Sequence, residues 1–367
     1  MSNNSKLKEI ALLFFKLGAI SFGGPAAHIA MMEDEIVKKR KWITREHFLD
    51  LIGATNLIPG PNSTEMTMHC GYERAGWKGL ITAGTCFIFP AVLITALFAW
   101  FYEQYGQLPN VKPFLYGIKP AVISIIIMAA YKLGKKALKS FEIGILGIGT
   151  LIVCLVGMNE ILALFSCGIM GTLLHLTKNR NFTNSFLLIP GFKSIGSFKI
   201  FMTFLKIGSI LYGSGYVLFA FLDAELVANG WLSRNELMDA VAIGQFTPGP
   251  VLSTATFIGW QINGFYGAIA ATIGIFIPSF IFVAILNPLI PKMRKSKLIG
   301  SFLDAVNIAA VAIIAAVSIE MGKGIVTDWK MILIGIFSLT IVFVFKKINS
   351  AYIVIGGGLM GYILSLL

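Results

Sequence analysis

Charged residues are scarce in this chain of 367 residues, of which 13% are charged and 56% are hydrophobic. Soluble domains carry about 25% charged residues, so the shortage excludes an ordinary soluble domain and indicates a membrane protein. Cysteine is scarce as well, and the four cysteines, which are Cys70, Cys86, Cys154 and Cys167, form no CxxC spacing. They therefore predict neither a metal site nor an oxidising compartment.

The motifs of several function classes are missing. Gly134-Lys135 is followed by Lys136 rather than by Ser or Thr, so the chain has no P-loop and an ATP-driven pump is not expected. Neither H-E-x-x-H nor G-x-S-x-G occurs, which leaves an intramembrane enzyme as a weak alternative. The net charge of +12 lies in short clusters between apolar runs, as in cytoplasmic loop anchors. We therefore expect no nucleic-acid partner and no cofactor.

The N-terminal segment has the outline of a signal peptide, with Lys6 and Lys8 before an apolar run over 11–20. Lys16 interrupts that run, and the same pattern returns in the middle of the chain. We therefore interpret the segment as a helix of the mature protein.

What the sequence does contain is an internal repeat, at offsets of 188 to 190 residues. The matching pairs include Trp42/Trp231, Arg45/Arg234, Pro59-Gly60-Pro61/Pro248-Gly249-Pro250, Pro90/Pro278 and Gly134-Lys135/Gly322-Lys323. The repeat predicts an N-terminal copy over 1–177, a cytoplasmic linker over 178–199 and a C-terminal copy over 200–367.

Each copy contains five apolar stretches long enough to cross a bilayer. They lie at 10–31, 77–102, 113–132, 141–158 and 160–176, and at 200–222, 265–288, 302–321, 329–345 and 350–367. A less apolar stretch that Pro-Gly-Pro interrupts separates the first two spans of each copy. With Thr44 and Ser233 as N-caps, these stretches predict re-entrant hairpins of two half-helices. The expected fold is an all-α polytopic membrane protein of two repeats with about five transmembrane helices each.

An odd number of spans per copy requires the second copy to be inverted, and the basic residues agree. Segment 33–45 carries five basic residues, whereas its partner 223–234 carries only Arg234. Conversely, loop 104–112 carries one and its partner 289–297 carries four. With both termini outside, most basic residues are cytoplasmic, including Lys132, Lys135, Lys136 and Lys139.

Inverted repeats with broken helices are typical of secondary transporters, whose sites lie at the repeat interface. A proline at the first position of a half-helix leaves the next backbone N–H groups free, which favours an anion. The predicted substrate site therefore includes Gly60, Asn62, Ser63, Thr64, Gly249, Ser253 and Thr254. The alternative is plain N-capping beside a tight turn. Gly23, Gly24 and Gly213, at the breaks in the first spans, allow close approach of either a ligand or a neighbouring hairpin.

Two lysines within the apolar spans, Lys16 and Lys206, are related by the repeat. A charge at membrane depth is costly, so we predict that they bind a central dianion. The alternatives are snorkelling to the interface or pairing with a carboxylate such as Glu33 or Asp223. Glu33 and Asp223 are themselves predicted coupling residues, with pairing to Arg45 and Arg234 as the alternative.

The sequence resembles the chromate ion transporter family, of the long-chain, two-domain type. The resemblance rests on Phe22-Gly23-Gly24-Pro25, Trp42-Ile43, Ile58-Pro59-Gly60-Pro61 and Gln245-Phe246-Thr247-Pro248-Gly249-Pro250. It implies a multi-pass plasma-membrane protein that exports chromate and confers chromate resistance. Ser214 departs from the all-glycine run expected at the second break.

Export is physically reasonable, because a dianion leaving an inside-negative cell gains about 4.6 kcal/mol per 100 mV. A sulfate-like oxyanion carrier and an anion channel remain alternatives. The coupling ion, a proton or a counter-anion, and assembly as a homodimer are expectations that the sequence leaves open.

Overall fold

The computed structural model describes residues 3–22, 24–106, 108–109, 111–177, 196–212, 215, 217–286, 296–323, 328–345 and 348–366. The secondary structure of these residues is entirely helical, which confirms the predicted all-α class. The helices are α1 Asn3–Ile20, α2 Gly24–Met32, α3 Arg45–Thr55, α4 Asn62–Tyr105, α5 Lys112–Ala137, α6 Phe141–Leu155, α7 Glu160–Thr177, α8 Ser197–Ile210, α9 Leu218–Leu222, α10 Arg234–Phe246, α11 Thr254–Leu286, α12 Lys297–Lys323, α13 Trp329–Val344 and α14 Ser350–Ser365.

Four of these helical segments are long and apolar enough to cross a membrane. They are Asn62–Tyr105, Lys112–Ala137, Val251–Ile285 and Lys297–Lys323. Shorter apolar helices lie at Phe141–Leu155, Glu160–His175, Trp329–Val344 and Ser350–Ser365. Large apolar side chains such as Phe141, 83% exposed, and Val156, 84% exposed, lie on the outer surface. Such a surface suits lipid rather than water, whereas five spans per copy stays a prediction.

The helices begin where the sequence predicts. Thr44 caps α3 by accepting a hydrogen bond from the backbone N–H of His47. Ser233 and Glu236 form a capping box at the start of α10. The prolines differ from the prediction by one position, because Pro61 is the N-cap of α4 rather than its first helical residue. Its ψ of 98° is extended, and this extended residue completes the turn before the helix begins.

Helices α4 and α11 each fold back on themselves near one end. Gly76 and Gly264 interrupt the helices with φ values of 61° and 54°, which favour glycine. Residues eight apart in a straight helix are roughly 12 Å apart. A Cβ on Gly79 would nevertheless lie 2.0 Å from the carbonyl oxygen of Gly71, and Gly267 lies equally close to that of Gly259. The helical segments before and after each glycine therefore pack directly against each other.

The two repeats are intertwined rather than side by side. Helix α5 of the first copy packs against α13 and α14 of the second, and α12 of the second packs against α6 and α7 of the first. Helix α1 packs against α4, α8 packs against α11, and α4 meets α11. Each copy thus completes its core with the last two helices of the other. This crossing brings the Pro-Gly-Pro turns of both copies to the interface between them.

Candidate substrate site

Each Pro-Gly-Pro turn makes a backbone hydrogen bond to the opposite repeat. The backbone N–H of Gly60 donates to the carbonyl of Leu211 at 2.7 Å, and that of Gly249 donates to the carbonyl of Ser21 at 2.8 Å. Leu211 and Ser21 are repeat-equivalent and lie where α8 and α1 end. Gly60 and Gly249 have φ values of 142° and 86°, a backbone region that other residues rarely adopt. Each turn therefore meets the broken helix of the other copy.

The first turn encloses buried polar atoms that lack partners. Glu65 is fully buried, and among the described residues neither of its carboxyl oxygens has a hydrogen-bond partner. The same holds for the hydroxyl of Thr64 and, from α11 of the other copy, that of Ser279. A Cβ on Gly60 would lie 2.2 Å from Glu65 Oε1 and 2.6 Å from Ser279 Oγ. Because glycine has no side chain, the carboxyl of Glu65 and the hydroxyl of Ser279 can both lie beside the turn.

The second turn has the same backbone, but its hydroxyls are paired. The hydroxyl of Thr95 donates to that of Ser253 at 3.1 Å, which joins the two copies. The hydroxyl of Thr254 donates to the carbonyl of Val251 at 2.7 Å. A Cβ on Gly249 would meet the Cβ of Ala91 at 2.8 Å, where the first turn has Ser279. These bonds pair the hydroxyls of the second turn but are not N-caps, because the Thr254 hydroxyl donates to a carbonyl instead of accepting from a backbone N–H, and the N-capping alternative stays open.

A cavity of about 470 Å³ lies against the first turn. Its wall at the turn includes Pro25, Asn56 and Asn62, and the amide of Asn62 donates to that of Asn56 at 2.7 Å. Farther along, the wall includes Lys132 and Lys136 near the C-terminal end of α5. The volume is within the range of small-ligand sites. The wall thus combines amides and ammonium groups, which suit an anion, with one carboxylate, that of Asp304.

The cavity wall also contains residues that are not among the site residues predicted from the sequence. Lys132, Lys136 and Lys139 line it, together with Asn307 of α12, and Lys139 pairs with Asp304 at 2.6 Å. The sequence analysis interpreted these lysines only as cytoplasmic anchors. A signal was available, because the repeat counterpart of Lys132 is Glu320, an acid in place of a base.

Neither lysine predicted at the centre of the site lies in the described cavity wall or at the turns. Lys206 is 53% exposed and pairs with Glu225 at 2.7 Å. Lys16 is exposed and interacts with the repeat-equivalent Glu35. Lys206 thus pairs with a carboxylate, as the alternative proposes, and the partner is Glu225 rather than Asp223. A role for the two lysines in binding stays a prediction.

The predicted coupling carboxylates are bound by arginines. Arg234 contacts Asp223 through two hydrogen bonds of 3.1 and 3.0 Å. In the first copy, Arg45 lies 3.3 Å from Glu33, and these two residues are the repeat equivalents of Arg234 and Asp223. The pairing that the sequence analysis offered as the alternative is thus present in both copies, and a coupling role for either carboxylate stays a prediction.

The remaining predicted site residues are small or capping residues. Ser63 is buried, and its carbonyl accepts the Thr67 hydroxyl at 2.9 Å. Gly24 begins α2 with a φ of 78° and is buried, so the first helix does break where predicted. Gly23 and Gly213 lie outside the described residues.

Comparisons with known proteins match both copies of the repeat. A family model described as chromate transporter matches residues 8–172 and again residues 198–362. A probable chromate transport protein of Synechococcus elongatus is 32% identical over 354 residues, which cover 91% of this chain and 89% of the relative. The chromate transport protein of Cupriavidus metallidurans is 28% identical, covering 97% of this chain and 93% of the relative.

A chromate transport protein of Pseudomonas aeruginosa is 26% identical over 95% of this chain and 90% of its own length. No solved structure matches the chain significantly. The family model covers most of the chain in two successive matches. This chain therefore belongs to the chromate transporter family.

Proposed function

We propose that this protein is a secondary transporter that exports chromate, or a tetrahedral oxyanion very like it, across the plasma membrane and so confers chromate resistance. Membership of the family supports chromate transport. The observation that carries the proposal is the cavity beside the first Pro-Gly-Pro turn, whose wall includes lysines and amides.

The electrostatics of this cavity favour a dianion. The exposed ammonium groups of Lys132 and Lys136 raise the local concentration of anions at one end. Beside the turn, α4 begins at Asn62, and the N–H groups of Asn62 and Ser63 precede the first bond of the helix, which Thr64 donates to the carbonyl of Pro61. A helix N-terminus carries a partial positive charge that stabilises an anion without placing a full charge at depth. Asn62 and Asn307 supply side-chain amide donors along the path.

The side that the cavity faces supports the proposed direction, which is export. The basic residues at the end of α5 belong to the segments that the charge distribution assigns to the cytoplasm. A cavity that opens there is loaded from the cytoplasm, which is the requirement for export. The membrane potential then drives the dianion outward without ATP.

We further infer that the repeats are inverted and that the Pro-Gly-Pro segments re-enter from their own side of the membrane. Two observations support re-entry. His47 in α3 lies 3.2 Å from Glu73 in α4, although the Pro-Gly-Pro turn separates them, so the chain returns towards its starting side. At Gly76 the chain then reverses again before its long apolar segment. The reciprocal bonds of Gly60 and Gly249 to the opposite copy support a two-fold relation between the repeats.

The proposal is tested by flux measurements in proteoliposomes that contain the purified protein. We expect the chromate flux to be saturable and to rise when the receiving side is at a positive potential. Excess sulfate is expected to compete with chromate. Faster flux of sulfate than of chromate at equal concentration would assign sulfate as the substrate. Ohmic single-channel currents would overturn the carrier mechanism in favour of a channel, and absence of oxyanion flux would overturn the function.

A further inference from the structure

The first Pro-Gly-Pro turn differs from its repeat counterpart at three positions that the fold brings together. Glu65 in α4 corresponds to Thr254, Ser279 in α11 corresponds to Ala91, and Tyr212 after α8 corresponds to Phe22. Glu65 and Ser279 both approach Gly60, and Tyr212 interacts electrostatically with the Glu65 carboxyl. The hydroxyls of Ser279 and Tyr212 thus come from two segments outside α4, and that of Ser279 shares the space beside Gly60 with the carboxyl. The second turn has a polar residue at one of these positions only.

The surroundings of Glu65 favour its neutral form. A buried carboxylate is stable only when hydrogen-bond donors or a cation compensate its charge. Neither oxygen has a hydrogen-bond partner among the described residues, and α11, which contributes Ser279, contains no charged residue. A carboxyl held in this way binds a proton in the closed cluster and releases it when the cluster opens to water.

The other titratable groups on the elements packed against α4 are engaged elsewhere or lie at the surface. On α2, His28 bonds the carbonyl of Ser21, and on α10, Asp239 accepts the hydroxyl of Tyr102. On α1, Glu9 binds Arg40 and Arg74, and Lys16 is exposed. On α3, Arg45 pairs with Glu33, His47 pairs with Glu73, and Glu46 and Asp50 are exposed. On α4 itself, His69 is also buried, one turn beyond Glu65. The group from another element that lies beside the carboxyl is the hydroxyl of Ser279, because both approach Gly60.

We propose that Glu65 is a proton-binding site and that the transporter carries one proton together with each oxyanion. The proposal rests on the proposed function and adds its coupling ion. Glu65 lies one helical turn from Asn62, which lines the cavity. An ionised carboxylate at this distance repels a dianion, so proton binding and oxyanion binding reinforce each other. The proton resides on a carboxyl oxygen of Glu65, and the loaded protein moves one net negative charge per oxyanion instead of two.

The test compares the wild type with Glu65→Gln, which keeps the size of the side chain and cannot release a proton. Glu73→Gln is the matched control, because Glu73 lies in the same helix but is partly exposed and pairs with His47. Chromate flux and proton flux are recorded in proteoliposomes at a clamped potential and at alkaline pH, where free chromate stays a dianion. Infrared spectra of the same samples record the stretch of a protonated carboxyl.

For the wild type and Glu73→Gln we expect proton movement with chromate, and a flux that changes by up to about tenfold per pH unit on the loading side. For Glu65→Gln we expect chromate flux without proton movement, two charges per chromate, and loss of the infrared band. Proton movement that persists in Glu65→Gln, or a sodium requirement in its place, would overturn the proposal. If the wild type moves no oxyanion, the proposed function fails, and an infrared band unchanged in Glu65→Gln then also rejects Glu65 as the proton site.

Discussion

Each of the two Pro-Gly-Pro turns donates its glycine N–H to a carbonyl at the break in the opposite repeat. Around this common backbone the side chains differ. The second turn has its hydroxyls paired by Thr95 and Val251, whereas the first turn holds a buried carboxyl and two hydroxyls without partners among the described residues. Buried polar groups are normally satisfied, and exceptions call for a functional explanation. The comparison supports our proposal that the first turn binds ligand, whereas it favours a structural role for the second.

The largest effect is expected for Gly60→Ala. Its φ of 142° is strained for alanine, and the new Cβ would lie 2.2 Å from Glu65 Oε1. We expect transport to fall by roughly two orders of magnitude, since about 2.7 kcal/mol of misplacement corresponds to a hundredfold. Gly264→Ala is the control, because Gly264 also has positive φ but has open space around its Cβ position. Equal flux in the two variants would contradict a role for the space beside Gly60.

The next effect concerns the basic end of the cavity. We expect the double variant Lys132→Gln, Lys136→Gln to raise the KM for chromate about tenfold at low salt, with a smaller rise at high salt. Lys135→Gln is the matched control, because Lys135 carries the same charge between them and does not line the described cavity wall. A similar KM change in all variants would indicate a general surface-charge effect. The difference between the two turns would then no longer be connected with anion binding in the cavity.

A pair of smaller substitutions tests the comparison directly by exchanging the chemistry of the two turns. Thr95→Val removes the hydroxyl that bonds Ser253 and introduces the residue found at the equivalent position 283. We expect a loss of about 1 kcal/mol in stability with flux retained. Ser279→Ala introduces the residue found at position 91 and removes an unpartnered hydroxyl. Here we expect unchanged or higher stability and a severalfold loss of flux.

Thermal midpoints in detergent and chromate flux in proteoliposomes measure both variants. The reverse result, with flux lost in Thr95→Val and kept in Ser279→Ala, would move the site to the second turn. Loss of both properties in both variants would show that the two turns act as one unit. In that case the structural and binding roles could not be assigned to separate copies.

The sequence predicted the parts of this fold that local rules and the repeat control. Thr44, Ser233, the two Pro-Gly-Pro turns and the break before Gly24 lie where capping and glycine patterns place them. The exchange of the last two helices between copies was not predicted, because apolar periodicity does not state which helix is the partner. The convergence of Ser279 and Glu65 was also missed, since their sequence separation hides a contact that only the crossed packing creates.

The smallest effect is expected for the lysines that the sequence placed at the centre of the site. The sequence predicts that these two lysines bind the dianion. If that is correct, Lys16→Met and Lys206→Met weaken chromate binding. Lys206 is 53% exposed and paired with Glu225, and surface pairs of this kind contribute about 0–1 kcal/mol. We therefore expect less than a twofold change in the KM for chromate in either variant. A tenfold rise in both would restore a two-fold symmetric site and remove the distinction between the turns. A rise in one alone would show that even the surface pairs serve the two copies unequally.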